Sequence, residues 1–135
     1  MSQANVQRVH EAYEALRRGG VDAVLPFFSE DVVAEESPEF PDTETVVGHE
    51  GIRRLVANFT DNFDDFEVEP QEFIDADSHV VVRVRLSGQA RGGGPPVDLE
   101  SFHVLKAGPD GKLSELRVFL DRSLALDAAS SPEQR

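Results

Sequence analysis

The fold class is decided by residues 80–86, Val-Val-Val-Arg-Val-Arg-Leu, where Val80, Val82, Val84 and Leu86 alternate with their neighbours. A period of two is typical of a β-strand that buries one face. Three further segments have strand character: 66–74, which is interrupted at Pro70, 97–105 and 113–120. The turn Gly108-Pro109-Asp110-Gly111 joins the last two segments. The four segments predict an antiparallel meander.

The first half of the chain has helical periodicity instead. Apolar residues recur at helical spacing over residues 6–16, and Gly19-Gly20 ends that pattern. A short second helix is expected after Asp22, and a third helix starts near Glu50. The apolar stripe predicted for this third helix consists of Ile52, Leu55, Val56, Phe59 and Phe63. Helices placed before a run of antiparallel strands predict an α+β domain with the helices on one face of a curved sheet.

Length and composition fit one domain. The chain has 135 residues, 39% of them hydrophobic, and we expect a single domain over residues 1–129 and a polar, disordered tail over 130–135. The absence of cysteine excludes disulfides, zinc–thiolate sites and thiol nucleophiles. No apolar run reaches the ~20 residues of a membrane span, and no signal-peptide pattern is present, so we expect a cytoplasmic protein with no membrane partner.

The negative charge is concentrated in one segment. The net charge is -13, and residues 30–77 hold 16 of the 26 acidic residues but only two basic ones. Most of these carboxylates are expected to lie on a solvated surface. Such a surface repels phosphate backbones, which argues against a nucleic-acid partner. The same charge favours a neutral or cationic ligand over an anionic one.

Several motifs resemble one family. They are Val47-Gly-His-Glu-Gly-Ile-Arg53, Phe73-Ile-Asp-Ala-Asp77, Asp110-Gly-Lys-Leu113 and Val118-Phe-Leu-Asp-Arg-Ser-Leu-Ala-Leu126. With residues 5–24, they make the chain similar to the SnoaL-like polyketide cyclase family of the nuclear-transport-factor-2-like (NTF2-like) superfamily. The resemblance implies a cone, in which a strongly curved mixed or antiparallel sheet wraps over three helices around an internal pocket. It also implies a homodimer packed through the outer sheet face.

Asp121 is the strongest catalytic candidate and has two interpretations. It follows Glu115, Arg117 and Phe119 at every second position, and we expect this set to face the pocket. It also matches the aspartate that the resembling cyclases use as general acid/base. Alternatively, Asp121 caps the closing helix that follows it, because aspartate is a favoured N-cap residue.

Two more catalytic candidates lie on the predicted sheet. His103 is expected to orient Asp121 or to transfer a proton, unless it is simply a buried histidine with a backbone partner. Arg85 and Arg117 would need a carboxylate partner if they pointed inward, either Asp121, Glu36 or a substrate group, with outward exposure as the alternative. We place Arg85 among the catalytic residues and Arg117 among the substrate-binding ones.

The remaining candidates would line the pocket. Strand neighbours alternate, so only one of Glu35 and Glu36 can point inward, and the resemblance favours Glu36. Tyr13 is either an oxyanion donor, as in some isomerases of this superfamily, or a core residue with its hydroxyl at a rim. The aromatic candidates are Phe40, Phe59, Phe63 and Phe119. No metal-ligand spacing is present, and we expect neither a metal nor a cofactor.

The superfamily includes isomerases, cyclases, dehydratases, epoxide hydrolases and non-enzymatic domains, so several functions stay open. The first is a cofactor-independent cyclase or isomerase that moves a proton next to the carbonyl of a small apolar compound. Many relatives carry Trp where this chain has Ala34 and Tyr where it has Phe119. The absence of these Trp and Tyr side chains favours the second function, a non-catalytic ligand-binding or dimerisation protein. Epoxide hydrolysis ranks last, because it needs a second aspartate and Asp98 is expected on the wrong face.

Overall fold

The computed structural model describes residues 2–36 and 45–130. Its helices are α1 (Ser2–Val24), α2 (Gly48–Thr60) and α3 (Arg122–Ser130), with a 3-10 turn over Leu25–Phe27. Its strands are β1 (Phe28–Glu36), β2 (Thr45–Val47), β3 (Phe63–Ala76), β4 (His79–Ala90), β5 (Pro96–Ala107) and β6 (Leu113–Phe119). The predicted α+β class is confirmed.

The described strands form one sheet in the order β2-β1-β6-β5-β4-β3. Strands β3 to β6 pair antiparallel with their chain neighbours, as the meander prediction requires. Strand β1 joins β6 in parallel, which makes the sheet mixed. The sheet is not closed, and with α1 and α2 on one side it has the α+β architecture of an NTF2-like cone. The closing helix α3 lies on the other side of the sheet, so the expectation of helices on one face does not hold for α3.

The alternation on β4 divides the core into two layers. Val80, Val82, Val84 and Leu86 belong to the larger layer, together with apolar residues of α1 and α2. Val81 belongs to the smaller layer, in which Ala125 and Ala129 of α3 pack on the opposite side of the sheet. We call the side under α1 and α2 the inner face and the side under α3 the outer face.

Two details of the helical half differ from expectation. Gly20 does interrupt the first helix, with φ 77° and ψ -164°, but a helical turn resumes and runs to Val24. Phe63 does not extend the stripe of α2, because α2 ends at Thr60 and Phe63 begins β3. Apolar residues at both helical and strand spacing made the boundary ambiguous there.

The predicted facing of β6 is wrong. Leu116 and Val118 lie in the inner layer, whereas Phe119 lies in the outer layer. Arg117 pairs with Val104 and shares the outer face with it. Both alternating sets on β6 contain apolar residues, and α3 buries the outer set, so periodicity alone did not distinguish the two faces.

Candidate functional site

The inner face holds one direct contact between two functional side chains. The Tyr13 hydroxyl lies 2.5 Å from Nδ1 of His103, across 90 residues of sequence. The two rings are stacked, with an interplanar angle of 14° and centroids 6.0 Å apart. The sequence singled out both residues but did not predict that they touch.

Each residue reaches the site from a regular element. Tyr13 lies in the apolar stripe of α1, which packs against β3 and β4. His103 is opposite Val82 in the β4–β5 ladder, and Val82 belongs to the inner layer. Phe73 of β3 completes the contact, with its ring edge-on to Tyr13 at 79° and 6.1 Å.

Phe73 was not among the predicted site residues. A strict period of two from Phe66 would place Phe73 on the outer face. The ladder between β3 and β4 shifts its register between Pro70 and Glu72, and the extra residue turns Phe73 inward opposite Val82. The proline that interrupts the strand pattern was the available signal for this shift.

Burial keeps both members of the Tyr13–His103 pair neutral. It raises the pKa of Tyr13 above its usual range and lowers the pKa of His103 to about 4. Both residues nevertheless keep some exposed surface. At neutral pH the pair is therefore an uncharged hydrogen-bonded unit with part of its surface exposed.

Glu36 lies on the same face as this pair. It is opposite Val118 in the β1–β6 ladder, and Val118 is opposite His103 in the β5–β6 ladder. Two strand spacings separate Glu36 from His103, so their Cα atoms are roughly 10 Å apart. Glu36 is half-buried, and desolvation raises the pKa of its carboxyl.

Asp121 is placed as the helix cap. Its Oδ1 accepts hydrogen bonds from the backbone N–H groups of Ser123 at 2.7 Å and Leu124 at 3.2 Å. The residue is exposed and lies beyond the end of β6, so the expectation that it faces the pocket with Arg117 and Phe119 is wrong. The structure does not bring it to His103.

Arg85 lies on the outer face. Its guanidinium makes two hydrogen bonds to the Asp98 carboxylate, at 2.9 and 2.7 Å, and both side chains are more than half exposed. Arg85 alternates with the inward residues Val84 and Leu86, so it cannot share their face. The expectation that it reaches the pocket is wrong.

Arg117 and Phe119 share the outer face under α3. The guanidinium carbon of Arg117 lies 5.1 Å from the centroid of the Phe119 ring. The Nε atom of Arg117 is buried and has no hydrogen-bond partner. Neither side chain faces the Tyr13–His103 pair.

The aromatic candidates do not lie together around the Tyr13–His103 pair. Phe59 and Phe63 both stack on Phe66 near the start of β3, with ring centroids 5.2 and 6.0 Å away. Phe63 is ten positions before Phe73 on this strand, so that aromatic group is not part of the Tyr13–His103 contact. Phe40 lies outside the described residues.

One concavity of about 450 Å³ lies along the solvent side of α1. Gln7, Glu11 and Glu14 are among its lining residues, but neither Tyr13 nor His103 is. It is therefore a groove on the surface of α1, and the internal pocket stays a prediction. In the described part of the chain, no three His, Asp or Glu side chains are grouped so that they could hold a metal ion.

Sequence comparison assigns the fold to a family. The profile of the SnoaL-like domain family matches residues 9–116, most of the chain. The chain belongs to the SnoaL-like domain family. No curated protein sequence matches this SnoaL-like chain significantly. Among the described helices, none is both long enough and apolar enough to cross a membrane.

Three solved structures share the SnoaL-like architecture. An NTF2-like protein from Burkholderia thailandensis E264 is 24% identical, with a TM-score of 0.77, and the match covers 95% of this chain and 98% of that one. A proposed SnoaL-like polyketide cyclase from Jannaschia sp. CCS1 is 23% identical, with a TM-score of 0.72 and coverage of 97% and 94%. The epoxide hydrolase/cyclase-like enzyme SalBIII, described in pyran ring formation in salinomycin, is 21% identical, with a TM-score of 0.71 and coverage of 91% and 96%. At these identities the likeness establishes the fold.

Proposed function

We propose that this chain is a cofactor-independent cyclase or isomerase that transfers a proton next to the carbonyl group of a small apolar compound. The observation that carries the proposal is the Tyr13–His103 hydrogen bond on the inner face, with Glu36 two strands away. The set combines a carboxyl group with a neutral hydrogen-bonding pair in mainly aliphatic surroundings. General acid–base chemistry requires these two kinds of group.

Glu36 is the proposed base. Its half-buried carboxylate is a stronger base than an exposed one, since desolvation raises its pKa. Desolvation is the cause of this shift, and no side chain of the described residues makes a hydrogen bond or an ion pair with the carboxylate. The four basic residues of the described strands, Arg83, Arg85, Lys106 and Arg117, lie on the outer face and do not neutralise it.

The Tyr13–His103 pair is the proposed partner of the carbonyl oxygen. When Glu36 takes a proton from the adjacent carbon, the electron pair of the C–H bond moves into the carbonyl group and its oxygen gains negative charge. A preorganised neutral donor stabilises that charge at little reorganisation cost. Return of the proton to another carbon gives an isomer. Alternatively, the enolate carbon bonds to a second carbonyl carbon of the same molecule, whose oxygen takes the proton, and a ring forms.

The relatives are consistent with ring-forming chemistry. One structural neighbour is a proposed polyketide cyclase and another is described in pyran ring formation. Epoxide hydrolysis stays the less favoured choice, because it needs two aspartates and an arginine around a water. The Arg85–Asp98 pair that comes nearest to that set lies on the exposed outer face.

The test measures proton exchange and does not require the natural substrate. The protein is incubated with 2-tetralone in D2O, and deuterium entry beside the carbonyl is followed by NMR. We expect wild-type protein to accelerate exchange and Glu36→Gln to lower the catalysed rate by about 100-fold or more, the usual contribution of a general base. Glu35→Gln is the matched control, because Glu35 is the adjacent residue and lies opposite Arg117 on the outer face. Equal rates for Glu36→Gln and wild type would remove Glu36 as the base.

A non-catalytic binding protein of the same fold is the second candidate. The positions of Asp121 and Arg85 favour this candidate, since neither side chain faces the inner layer. Few acid–base side chains are therefore left on that face. Wild-type protein that binds 2-tetralone, a neutral apolar ligand, without accelerating deuterium exchange would support this candidate over the enzyme.

The homodimer also stays a proposal. The resemblance places it at the outer sheet face, where α3 already covers Phe102 and Val104. A dimer there would have to use the charged outer surface beside α3 or the exposed side of that helix, where Leu124 is 43% exposed. Sedimentation equilibrium of wild-type protein and of Leu124→Glu tests this. A monomeric wild-type protein would contradict the proposal.

A further inference from the structure

We propose that Tyr13 is a positioning residue that fixes the tautomer of His103, so that His103 presents a neutral Nε2–H donor to a carbonyl oxygen at the inner face. The supporting geometry is the 2.5 Å contact between the Tyr13 hydroxyl and Nδ1. The tautomer stands independently of any reaction. Only the identification of the acceptor as a carbonyl rests on the proposed function.

The direction of the hydrogen bond follows from counting protons. A neutral imidazole has one N–H and a tyrosine has one O–H, so only one proton lies between Nδ1 and the hydroxyl oxygen. If Nδ1 donated it, both the Tyr13 O–H and the Nε2 lone pair would lack a partner among the described residues, whereas donation by Tyr13 leaves only the Nε2–H without one. The arrangement with fewer unpaired polar atoms is favoured, because each such group that is removed from water costs free energy. Tyr13 therefore donates to Nδ1, and the ring proton resides on Nε2.

The surroundings of His103 keep its imidazole ring neutral and next to Tyr13. Burial disfavours the imidazolium and holds the pKa of His103 near 4, so the ring is neutral at physiological pH. Phe73 packs edge-on against Tyr13 and takes no part in the hydrogen bond itself. The position of Tyr13 on α1 and of His103 on β5 then fixes the relative orientation of the two rings.

The Nε2–H group is the one left for a ligand. The two ring nitrogens point in different directions, so Nε2 is directed away from the Tyr13 hydroxyl. No hydrogen bond joins Nε2 to any residue that the structure describes, and the His103 side chain is only partly buried. A neutral N–H is matched by an uncharged acceptor such as a carbonyl oxygen. It repels an ammonium group and does not neutralise a carboxylate.

The two ionisable groups on this face, Glu36 and His103, have different roles. Glu36 accepts a proton, whereas His103 donates a hydrogen bond without giving up its proton. The expected ligand is therefore an uncharged compound whose carbonyl oxygen lies at Nε2 and whose acidic C–H lies toward Glu36. An uncharged ligand is expected to be preferred over an ionised carboxylic acid or a phosphate ester, since the basic side chains of the described strands lie on the outer face.

Long-range proton–nitrogen correlation NMR of the 15N-labelled full chain reports the tautomer directly. His103 is assigned with His103→Gln, which removes its signals. We expect a protonated Nε2 and an unprotonated Nδ1 in wild type at pH 7. In Tyr13→Phe the preference should be lost, and the Nδ1–H form should become substantially populated. Phe73→Leu is the matched control, because it alters the same aromatic cluster but leaves the hydrogen bond, and it should keep the wild-type pattern.

Two outcomes would overturn the inference. They are a protonated Nδ1 in wild type, and an Nε2–H pattern that persists in folded Tyr13→Phe. Thermal unfolding of each variant verifies that it is folded. If Tyr13 served only to pack the core, its replacement by phenylalanine would leave the tautomer of His103 unchanged. In the exchange assay, Tyr13→Phe should lower the rate at saturating 2-tetralone by about tenfold, less than removal of a whole oxyanion donor. The wild-type tautomer in a protein without exchange activity would refute the proposed reaction and leave the tautomer assignment intact.

Discussion

Replacing His103 by glutamine should weaken the acid dependence of folding stability. The pKa of His103 is about 4 in the folded protein, against 6.5 for a free histidine. Because the folded-state value is the lower one, the unfolded chain binds the extra proton between these two pH values. Stability from the neutral buried ring is therefore complete above about pH 6.5 and is lost as the pH falls toward 4.

The magnitude follows from the two pKa values. Between pH 7.5 and pH 5.5, protonation of the unfolded state alone should cost the wild-type protein about 1 kcal/mol, at 1.36 kcal/mol per pKa unit and reduced for partial exposure. His103→Gln lacks this contribution. The carboxylates that titrate in the same range are common to both proteins and cancel in the difference.

Urea unfolding at the two pH values measures this difference. The stability gap between wild type and His103→Gln should be largest at pH 7.5 and should shrink by about 1 kcal/mol at pH 5.5. Both values lie above the isoelectric point of about 4.6, which favours solubility. A gap that is the same at both pH values would refute the desolvated, neutral His103 on which the site depends.

Three further variants test the assignments of Asp121 and Arg85. Asp121→Ala should lower the free energy of unfolding by about 1 kcal/mol, while Asp121→Asn should keep most of that stability, since asparagine is an equally good N-cap. Both should retain the exchange rate of wild type, and loss of exchange in folded Asp121→Asn would restore Asp121 as the acid/base. Arg85→Ala should change stability by about 0.5 kcal/mol or less, because its ion pair with Asp98 is exposed, and should leave exchange unchanged. A large loss of exchange activity in Arg85→Ala would contradict its placement outside the site.

The strands and the hairpin of the fold could be predicted from the sequence. The alternation over residues 80–86 identified a strand with one face in the core, and the turn at 108–111 identified the β5–β6 hairpin. These features are local, so one sequence carries them. The faces of β6 are different, because Val118 and Phe119 are equally apolar and only the packing of α3 shows which one faces outward.

The site could be predicted only in part. His103, Tyr13 and Glu36 were selected as candidates, but the contact between Tyr13 and His103 joins residues 90 positions apart and depends on how α1 lies across the sheet. Phe73 was missed because one extra residue after Pro70 reverses the alternation. Asp121 satisfied both the sequence pattern of a catalytic acid and that of a helix cap, and only the hydrogen bonds to Ser123 and Leu124 distinguish the two.

The functional groups that we propose all lie on the inner face of the sheet. Chemical-shift mapping of the 15N-labelled full chain during titration with 2-tetralone shows which face the ketone contacts. The largest changes should occur at Tyr13, Glu36, Phe73 and His103, with little change at Arg85 and Asp121. Changes concentrated on the outer face, or none on the inner face at saturating ketone, would contradict it.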